Sequence, residues 1–367
     1  MPPKPPPVGT SKAKSLRGFA LEMQSRYGQK RIANGPPPVI VPTGSLNLDR
    51  ALRVGGWQLG RVYEIVGPKD SGKSSLVIAS MVSFLEAFPD KGAGYVNIEN
   101  TFDPDRATEM GLDCSDEAIA SGRWAPLLPA NTEEASDMAR DYCASGFYSV
   151  LVVDSVGGME SQRVLDKSAA EDTMGKNAQV ITKMTKHLST LARLNQCTVL
   201  LVNQQRANFS SYGGPQSAGP MAMQYSTTAK VEMSMRASAD NGDIRKLKLP
   251  GDDEPVAVSQ RHVARITRAK NTLAGGRTAQ LFINKVGTEQ YGPPGIDYSD
   301  EYLTIGSAQG VVKASGAWYT FPDGGRANGR DKGAAYLREH PEVMKQVREA
   351  IDFDAPVEEL EGATDAS

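Results

Sequence analysis

Eight consecutive residues, Gly67-Pro68-Lys69-Asp70-Ser71-Gly72-Lys73-Ser74, fit the pattern G-x-x-x-x-G-K-[ST], a loop that cradles polyphosphate. The apolar run Val62-Tyr-Glu-Ile-Val66 precedes it as a buried strand, and Ser74 to Leu85 follows as a helix. A strand, a glycine-rich turn and a helix N-terminus together aim backbone N–H groups and a helix dipole at anionic oxygens. In that setting Lys73 reaches the β- and γ-phosphates and the Ser74 hydroxyl ligates Mg²⁺. The expected contact set runs from Gly67 to Ser75, and its ligand is a nucleoside triphosphate.

Three further β-type runs supply the elements that must position such a site: Gly94-Tyr-Val-Asn-Ile98, Ser149-Val-Leu-Val-Val153 and Thr198-Val-Leu-Leu-Val202. Helical segments at about 75–88, 132–145 and 175–195 separate them. Apolar strands alternating with helices predict an α/β fold with a mainly parallel sheet covered on both faces. Ligands bind such sheets at the carboxyl ends of the strands, and those ends carry Glu99, Asp154 and Gln204. Asp154, after four apolar residues, suits a Walker-B acid for Mg²⁺. Glu99 suits a general base for the attacking water, and Gln204 can hydrogen-bond the γ-phosphate. Beyond Gln204, the stretch 206–223 is rich in Gly, Ser, Pro and Ala and lacks helix or strand period; a second irregular stretch, 157–175, follows Asp154. Loops of that length in a compact domain are functional or disordered, and both leave strands that meet nucleotide.

The chain has 367 residues, 40% hydrophobic and 23% charged, values ordinary for a globular protein large enough for two or three domains. No apolar run is long enough for a membrane span, and the N-terminus shows no signal-peptide core, so a cytoplasmic protein without membrane contact is expected. Cys114, Cys143 and Cys197 give neither a disulfide framework nor metal-ligand spacing. Net charge is −2, but unevenly spread: residues 1–31 carry seven Lys/Arg against one acid, and residues 352–367 carry six acids and no base. A basic head and an acidic tail fit contact with a polyanion and competition for it. The Pro-rich head to about Ser11 reads as disordered, whereas Leu16, Phe19, Ala20 and Met23 mark a short amphipathic helix over 14–27 that needs a partner surface. Thr43-Gly-Ser45 supplies a hydroxyl cap for a helix beginning at Leu46.

Seven motifs in order resemble a RecA-type homologous recombinase over about residues 14–350: Thr43–Asp49, Gly67–Ser74, Ile98–Pro104, Val152–Val156, Met174-Gly175, Asn203–Arg206 and Ala314–Tyr319. The resemblance implies a RecA-like phosphate-loop ATPase core that uses ATP and Mg²⁺. It also implies a helical homo-oligomeric filament on single-stranded DNA, pairing with homologous duplex DNA and strand exchange. By resemblance Glu99 is the catalytic glutamate, Gln204 couples γ-phosphate to the second DNA loop, and 157–175 and 206–223 are the DNA-binding loops. Met174, Gly175, Lys176, Lys186, Arg206, Gly213 and Gly214 stand nearest DNA, helix 14–27 packs on the neighbouring protomer, and Arg268 and Lys270 reach across that interface to ATP. Asp103 and Arg106 occupy the adenine side, with Arg106 where the family usually has a stacking tyrosine. Gln179 replaces a usual arginine, and the second loop and Asn271–Gly276 also diverge, which suggests a remote, phage-encoded or otherwise divergent branch.

The expected organisation is a head and oligomerisation helix (1–35), an ATPase core (36–285), a small C-terminal α/β domain (286–351) and an acidic disordered tail (352–367) that restrains DNA access. Lys313, Arg326, Arg330, Lys332 and Arg338 give the small domain a basic set suited to duplex DNA. A hexameric RecA-fold helicase or translocase, a non-enzymatic ATP-switched mediator and a small-molecule kinase are the alternatives. The first would share the loop, Glu99 and Asp154, but such motors usually lack the Gly-Ala-Trp-Tyr segment.

Overall fold

A computed structural model describes residues 15, 17–18, 21–22, 25, 37–158, 174–206, 216–217, 223–236, 242–270 and 273–352. Gly213, Gly214 and the acidic tail from 353 onward lie outside the described residues. Residues 1–39 form one unit and 40–367 another. In the first, the described residues Arg17, Gly18, Leu21, Glu22 and Ser25 are helical, and the Ser15 hydroxyl accepts from the Gly18 N–H at 3.0 Å.

In the second unit the strands are β1 (Ile40–Val41), β2 (Trp57–Gln58), β3 (Val62–Gly67), β4 (Gly92–Asn97), β5 (Trp124–Leu127) and β6 (Tyr148–Asp154). They continue as β7 (Thr198–Arg206), β8 (Gln216–Ser217), β9 (Ala229–Met235), β10 (Ile244–Leu247), β11 (Val256–Ala269), β12 (Thr278–Asn284) and β13 (Gly295–Ile296). The main sheet runs β13-β12-β11-β9-β3-β7-β6-β4-β5, with β10 added to β11 and β8 to β7. Strands β9, β3, β7, β6, β4 and β5 are parallel, while β11, β12 and β13 extend the sheet antiparallel. All six residues of β3 are buried, as a strand covered on both faces requires.

Helices Lys73–Ala87, Thr132–Ser145 and Met174–Asn195 stand where the sequence places them. At the end of the first, Arg123 donates to the carbonyls of Leu85, Phe88, Pro89 and Lys91, a cation on the negative end of the helix dipole. The stretch 206–223 is less irregular than expected: Gln216–Ser217 pairs with Gln205–Arg206. Likewise Gly295–Ile296, inside the stretch 286–351, is the last strand of the main sheet, and the Asn284 amide holds the connecting turn through the carbonyls of Tyr291 and Pro293.

Past it, helices Tyr298–Ala308, Arg330–Glu339 and Pro341–Ala350 and a meander of β14 (Lys313–Ser315), β15 (Trp318–Thr320) and β16 (Arg326–Asn328) enclose their own apolar cluster. Two buried polar joints fix this part to the sheet. In one, Arg245 on β10 meets Asp297 at 2.9 Å and Asp300 at 2.6 Å while stacking 3.7 Å over the Phe282 ring. Asp300 also takes Arg330 at 2.8 Å, and Asp297 takes Arg338 at 3.5 Å. Burial pushes the Asp300 carboxyl up, but Arg330 and Arg245 outweigh it and hold it below the usual carboxylate range. Two of the five cations expected to face DNA are therefore committed here, since the aspartates need their charge once buried. Lys313, Arg326 and Lys332 remain exposed, with Arg326 5.1 Å from the Trp318 ring.

The second joint is Glu301. Its two carboxylate oxygens accept from the Ser45 hydroxyl and the Leu46 N–H, both at 2.6 Å, at the start of helix Leu46–Ala51. Ser45 is the N-cap of that helix, as its sequence predicts. Nearby, Asp49 accepts from the Thr43 N–H at 2.7 Å, and the Thr43 carbonyl accepts from Ser80 on the phosphate-loop helix at 2.6 Å. Burial pushes Asp49 up to about 7 and Glu301 up to about 8. Both carboxyls thus bind protons more tightly in the folded chain, so their stabilisation is complete below the unfolded values near 4 and is lost as pH rises through about 7 to 8. The melting temperature is expected to fall from about pH 4 to about pH 8 and to level off above that. Glu301→Gln, which cannot ionise yet still accepts one hydrogen bond, should flatten that fall; superimposable profiles in a thermal-melt series would show that Glu301 does not set it.

Candidate nucleotide-binding site

The phosphate loop sits where β3 gives way to helix Lys73–Ala87, at the carboxyl end of the parallel strands. Its backbone lies directly on the sheet. A Cβ at Gly67 would collide with the Met233 carbonyl of β9, and one at Gly72 with the Ile283 side chain of β12. Gly72 also has φ +87°, a left-handed conformation that L side chains rarely adopt. The Lys73 ammonium folds back on the loop, donating to the carbonyls of Gly67 at 3.0 Å and Pro68 at 2.6 Å. Burial lowers its pKa, while Asp154, Glu99 and Asp70 pull it back up.

Neighbouring strands bring the three expected residues to the same rim. Glu99 stands two residues beyond β4, Asp154 ends β6, and Gln204 lies near the end of β7. The Gln204 amide donates to Glu99 Oε1 at 2.6 Å, and the Ser155 hydroxyl donates to the same oxygen. Asp154 accepts from the Tyr95 hydroxyl at 2.6 Å. Its carboxyl is raised by burial, with Glu99 adding to that and Tyr95 and Lys73 opposing it.

These groups line one cleft of about 840 Å³, together with Lys69, Asp70, Ser74, Ser75 and Arg106. The donor set fits a triphosphate with a divalent cation. A lysine ammonium rests on loop carbonyls that it can exchange for phosphate oxygens, glycines leave the backbone bare, and a hydroxyl and a carboxylate stand beside them. Among the described residues no His/Cys/Asp/Glu cluster forms a metal site from protein ligands alone. Mg²⁺ is usually held by one or two carboxylates plus substrate phosphates, and Asp154 is the carboxylate at this rim.

Other expected site residues fare differently. Asp103 caps helix Pro104–Glu109 by accepting from the Arg106 N–H at 3.0 Å, so one of its oxygens is already engaged. Arg106 does line the cleft, its guanidinium held by the carbonyls of Lys285 and Asn284 and by Ser75. Arg268 and Lys270 lie at the opposite rim. Ala269 pairs with Ala229, which pairs with Tyr63 near the start of β3, whereas the phosphate loop begins after Gly67. The strand between spans roughly 15 Å. Arg268 donates to the Thr227 hydroxyl and Lys270 to the Tyr225 carbonyl.

Met174, Gly175 and Lys176 open the helix Met174–Asn195, and Arg206 ends β7, so the backbone brings both loop ends to the nucleotide rim. Lys186 is exposed but lies twelve residues into the helix, roughly 18 Å along its axis. The sequence reading misses Tyr95, Ser155, Thr101, Met235, Lys285 and His262, all at the cleft or bonded to its residues. Ser155, directly after the Asp154 strand, and Thr101, inside the motif Ile98–Pro104, carry a positional signal; the others do not.

Lys73→Ala removes the ammonium expected to reach phosphate and should weaken ATP binding at least tenfold in a fluorescent-nucleotide titration. Glu99→Gln should bind ATP within a few-fold of wild type yet lose turnover, because an amide cannot accept the water's proton. Wild-type turnover in Glu99→Gln would remove Glu99 as the base.

Residues 27–283 match the family model of the RecA N-terminal domain, and residues 301–354 that of the RecA C-terminal domain. Protein RecA of Oceanobacillus iheyensis is 30% identical over 351 residues, covering 92% of each chain. Protein RecA of Thermus aquaticus is 26% identical over 355 residues, covering 93% of this chain and 94% of that one. Protein RecA of Bacteroides thetaiotaomicron is 25% identical over 356 residues, covering 95% and 98%. Two domain models matched in order across both the sheet and the helical unit behind it make this chain a member of the RecA family.

Proposed function

We propose that the chain is a DNA-dependent ATPase that assembles as a helical filament on single-stranded DNA, pairs it with homologous duplex and exchanges strands. We place it in the cytoplasm, without membrane contact. No described helix is long and apolar enough to cross a membrane. The observation that carries this reading is the Gln204–Glu99 hydrogen bond at 2.6 Å. It joins the proposed base for hydrolysis to a strand that runs directly into the stretch 206–223.

Both described hydrogen bonds to Glu99 fall on Oε1, so we assign Oε2 to the proton of the attacking water. Lys73 would leave the Gly67 and Pro68 carbonyls for the β/γ-phosphates. Ser74 and Asp154 would hold Mg²⁺, which neutralises phosphate charge when bound. Gln204 has a choice of partners, Glu99 or a γ-phosphate oxygen, and a change of partner shifts the end of β7 and the loop that follows it. Gln204→Ala should therefore leave DNA affinity unresponsive to ATP in an anisotropy titration, with melting temperature kept. A wild-type gain in DNA affinity on adding ATP would rule out the switch.

Arg268 and Lys270 lie too far from their own chain's phosphate loop to touch it, so we assign them to the neighbouring protomer's ATP. Charge delivered across an interface stabilises phosphate only after assembly. The Arg268→Ala, Lys270→Ala protein should bind ATP but hydrolyse it at least a hundredfold more slowly on single-stranded DNA. DNA-stimulated turnover retained in that variant would place the cations elsewhere, and negative-stain imaging of the wild type separates filaments from rings.

A further inference from the structure

His262 lies in the middle of β11, pairing with Met235 of β9 and Leu281 of β12, and is 4% exposed. Its ring reaches the floor of the nucleotide cleft, where Nδ1 lies 3.0 Å from the carbonyl oxygen of Ser71. A carbonyl can only accept, so Nδ1 carries the proton in this contact. The Ser71 side chain is fully buried, and its hydroxyl has no hydrogen-bond partner among the described residues. The carbonyl is thus the polar tie between this residue and the sheet.

That tie has a geometric effect one atom away. The Ser71 carbonyl and the Gly72 N–H belong to one planar peptide and point in opposite directions. Drawing the carbonyl down onto β11 turns the Gly72 N–H away from the sheet, toward the cleft. A loop carbonyl swung the other way would face phosphate with negative charge. The Lys73 ammonium cannot do this work, because its two loop partners are Gly67 and Pro68.

We propose that His262 is a positioning residue for the phosphate loop: its Nδ1–H pins the Ser71 carbonyl to the sheet and so aims the Gly72 N–H at the bound polyphosphate. The inference rests on the nucleotide reading given above. Burial pushes the imidazole below its ordinary range, the Ser71 carbonyl opposes this, and the Lys285 charge adds to it. The ring therefore acts as a neutral donor near pH 7.

Two measurements test it. Among the three histidines of the chain, His340 also places Nδ1 2.9 Å from a carbonyl, that of Tyr336, so long-range ¹⁵N–¹H NMR of the full-length, nucleotide-free protein should assign specifically to His262 a neutral imidazole protonated at Nδ1. That signal should be absent from His262→Leu. Protonation at Nε2 for His262 overturns the proposal, and this readout needs no variant to fold beyond the assignment. Titrations with Mg·ATP and with inorganic tripolyphosphate should both weaken about tenfold in His262→Leu, the effect of losing one well-placed donor to a charged ligand. His262→Asn, whose amide offers a donor at similar reach, should recover to within about threefold, with both variants melting close together. If wild type binds neither ligand, the nucleotide reading itself falls. If wild type binds and His262→Leu binds equally well, that reading stands and the role of His262 is wrong.

Discussion

The bare backbone of the phosphate loop must lie against the sheet, and most of this fold follows from that contact. At Gly67 and Gly72 there is no space for even a methyl group, because the Met233 carbonyl and the Ile283 side chain already fill it. Those two neighbours belong to β9 and β12, in the half of the sheet beyond the parallel strands that carry Glu99, Asp154 and Gln204. The two halves divide the work. Strands β4, β6 and β7 on one side of β3 deliver reactive side chains at their carboxyl ends, and β9, β11 and β12 on its other side form the floor that shapes the loop. Burial matters to both, since charged and hydrogen-bonding groups act more strongly where water is excluded.

Much of the site is legible in the sequence because its residues sit at boundaries between patterns. Asp154 ends an apolar run, Gln204 lies near the end of another, and the loop stands between a strand and a helix. The floor is harder to read. His262 acts through a backbone carbonyl 191 residues away, and no local spacing announces such a partner. The strand Trp124–Leu127 is four residues long with a proline inside, a composition that fits a sheet edge but also fits a turn. Arg330 and Arg338 look like surface cations in sequence because Asp300 and Asp297 lie 30 and 41 positions off; folding turns them into joints.

Those joints decide how the helical unit behind the sheet relates to the cleft. Removing one partner of a buried ion pair costs about 3–5 kcal/mol, whereas an exposed pair contributes at most about 1. The Arg245–Asp300 pair, shielded from water on both sides, is of the first kind; the exposed Arg140–Asp137 pair is of the second, and the half-exposed Arg330 contributes between the two. From Glu301 a line of hydrogen bonds runs through Ser45 and Thr43 to Ser80, on the helix whose first residues are Lys73 and Ser74. The helical unit is thus tied by hydrogen bonds to the helix that the phosphate loop leads into.

Arg268 and Lys270 at one rim and the phosphate loop at the other give the chain two unlike faces, which the proposed filament would join. A contact that joins unlike faces is heterologous, and unless its rotation closes a ring it repeats without end. Such an array has a direction. The protomer at one terminus would hold nucleotide with no cations over it, while the one at the other terminus would offer cations to empty solvent. Growth and loss at the two termini would then proceed at different rates, a polarity encoded by the opposite rims of a single sheet.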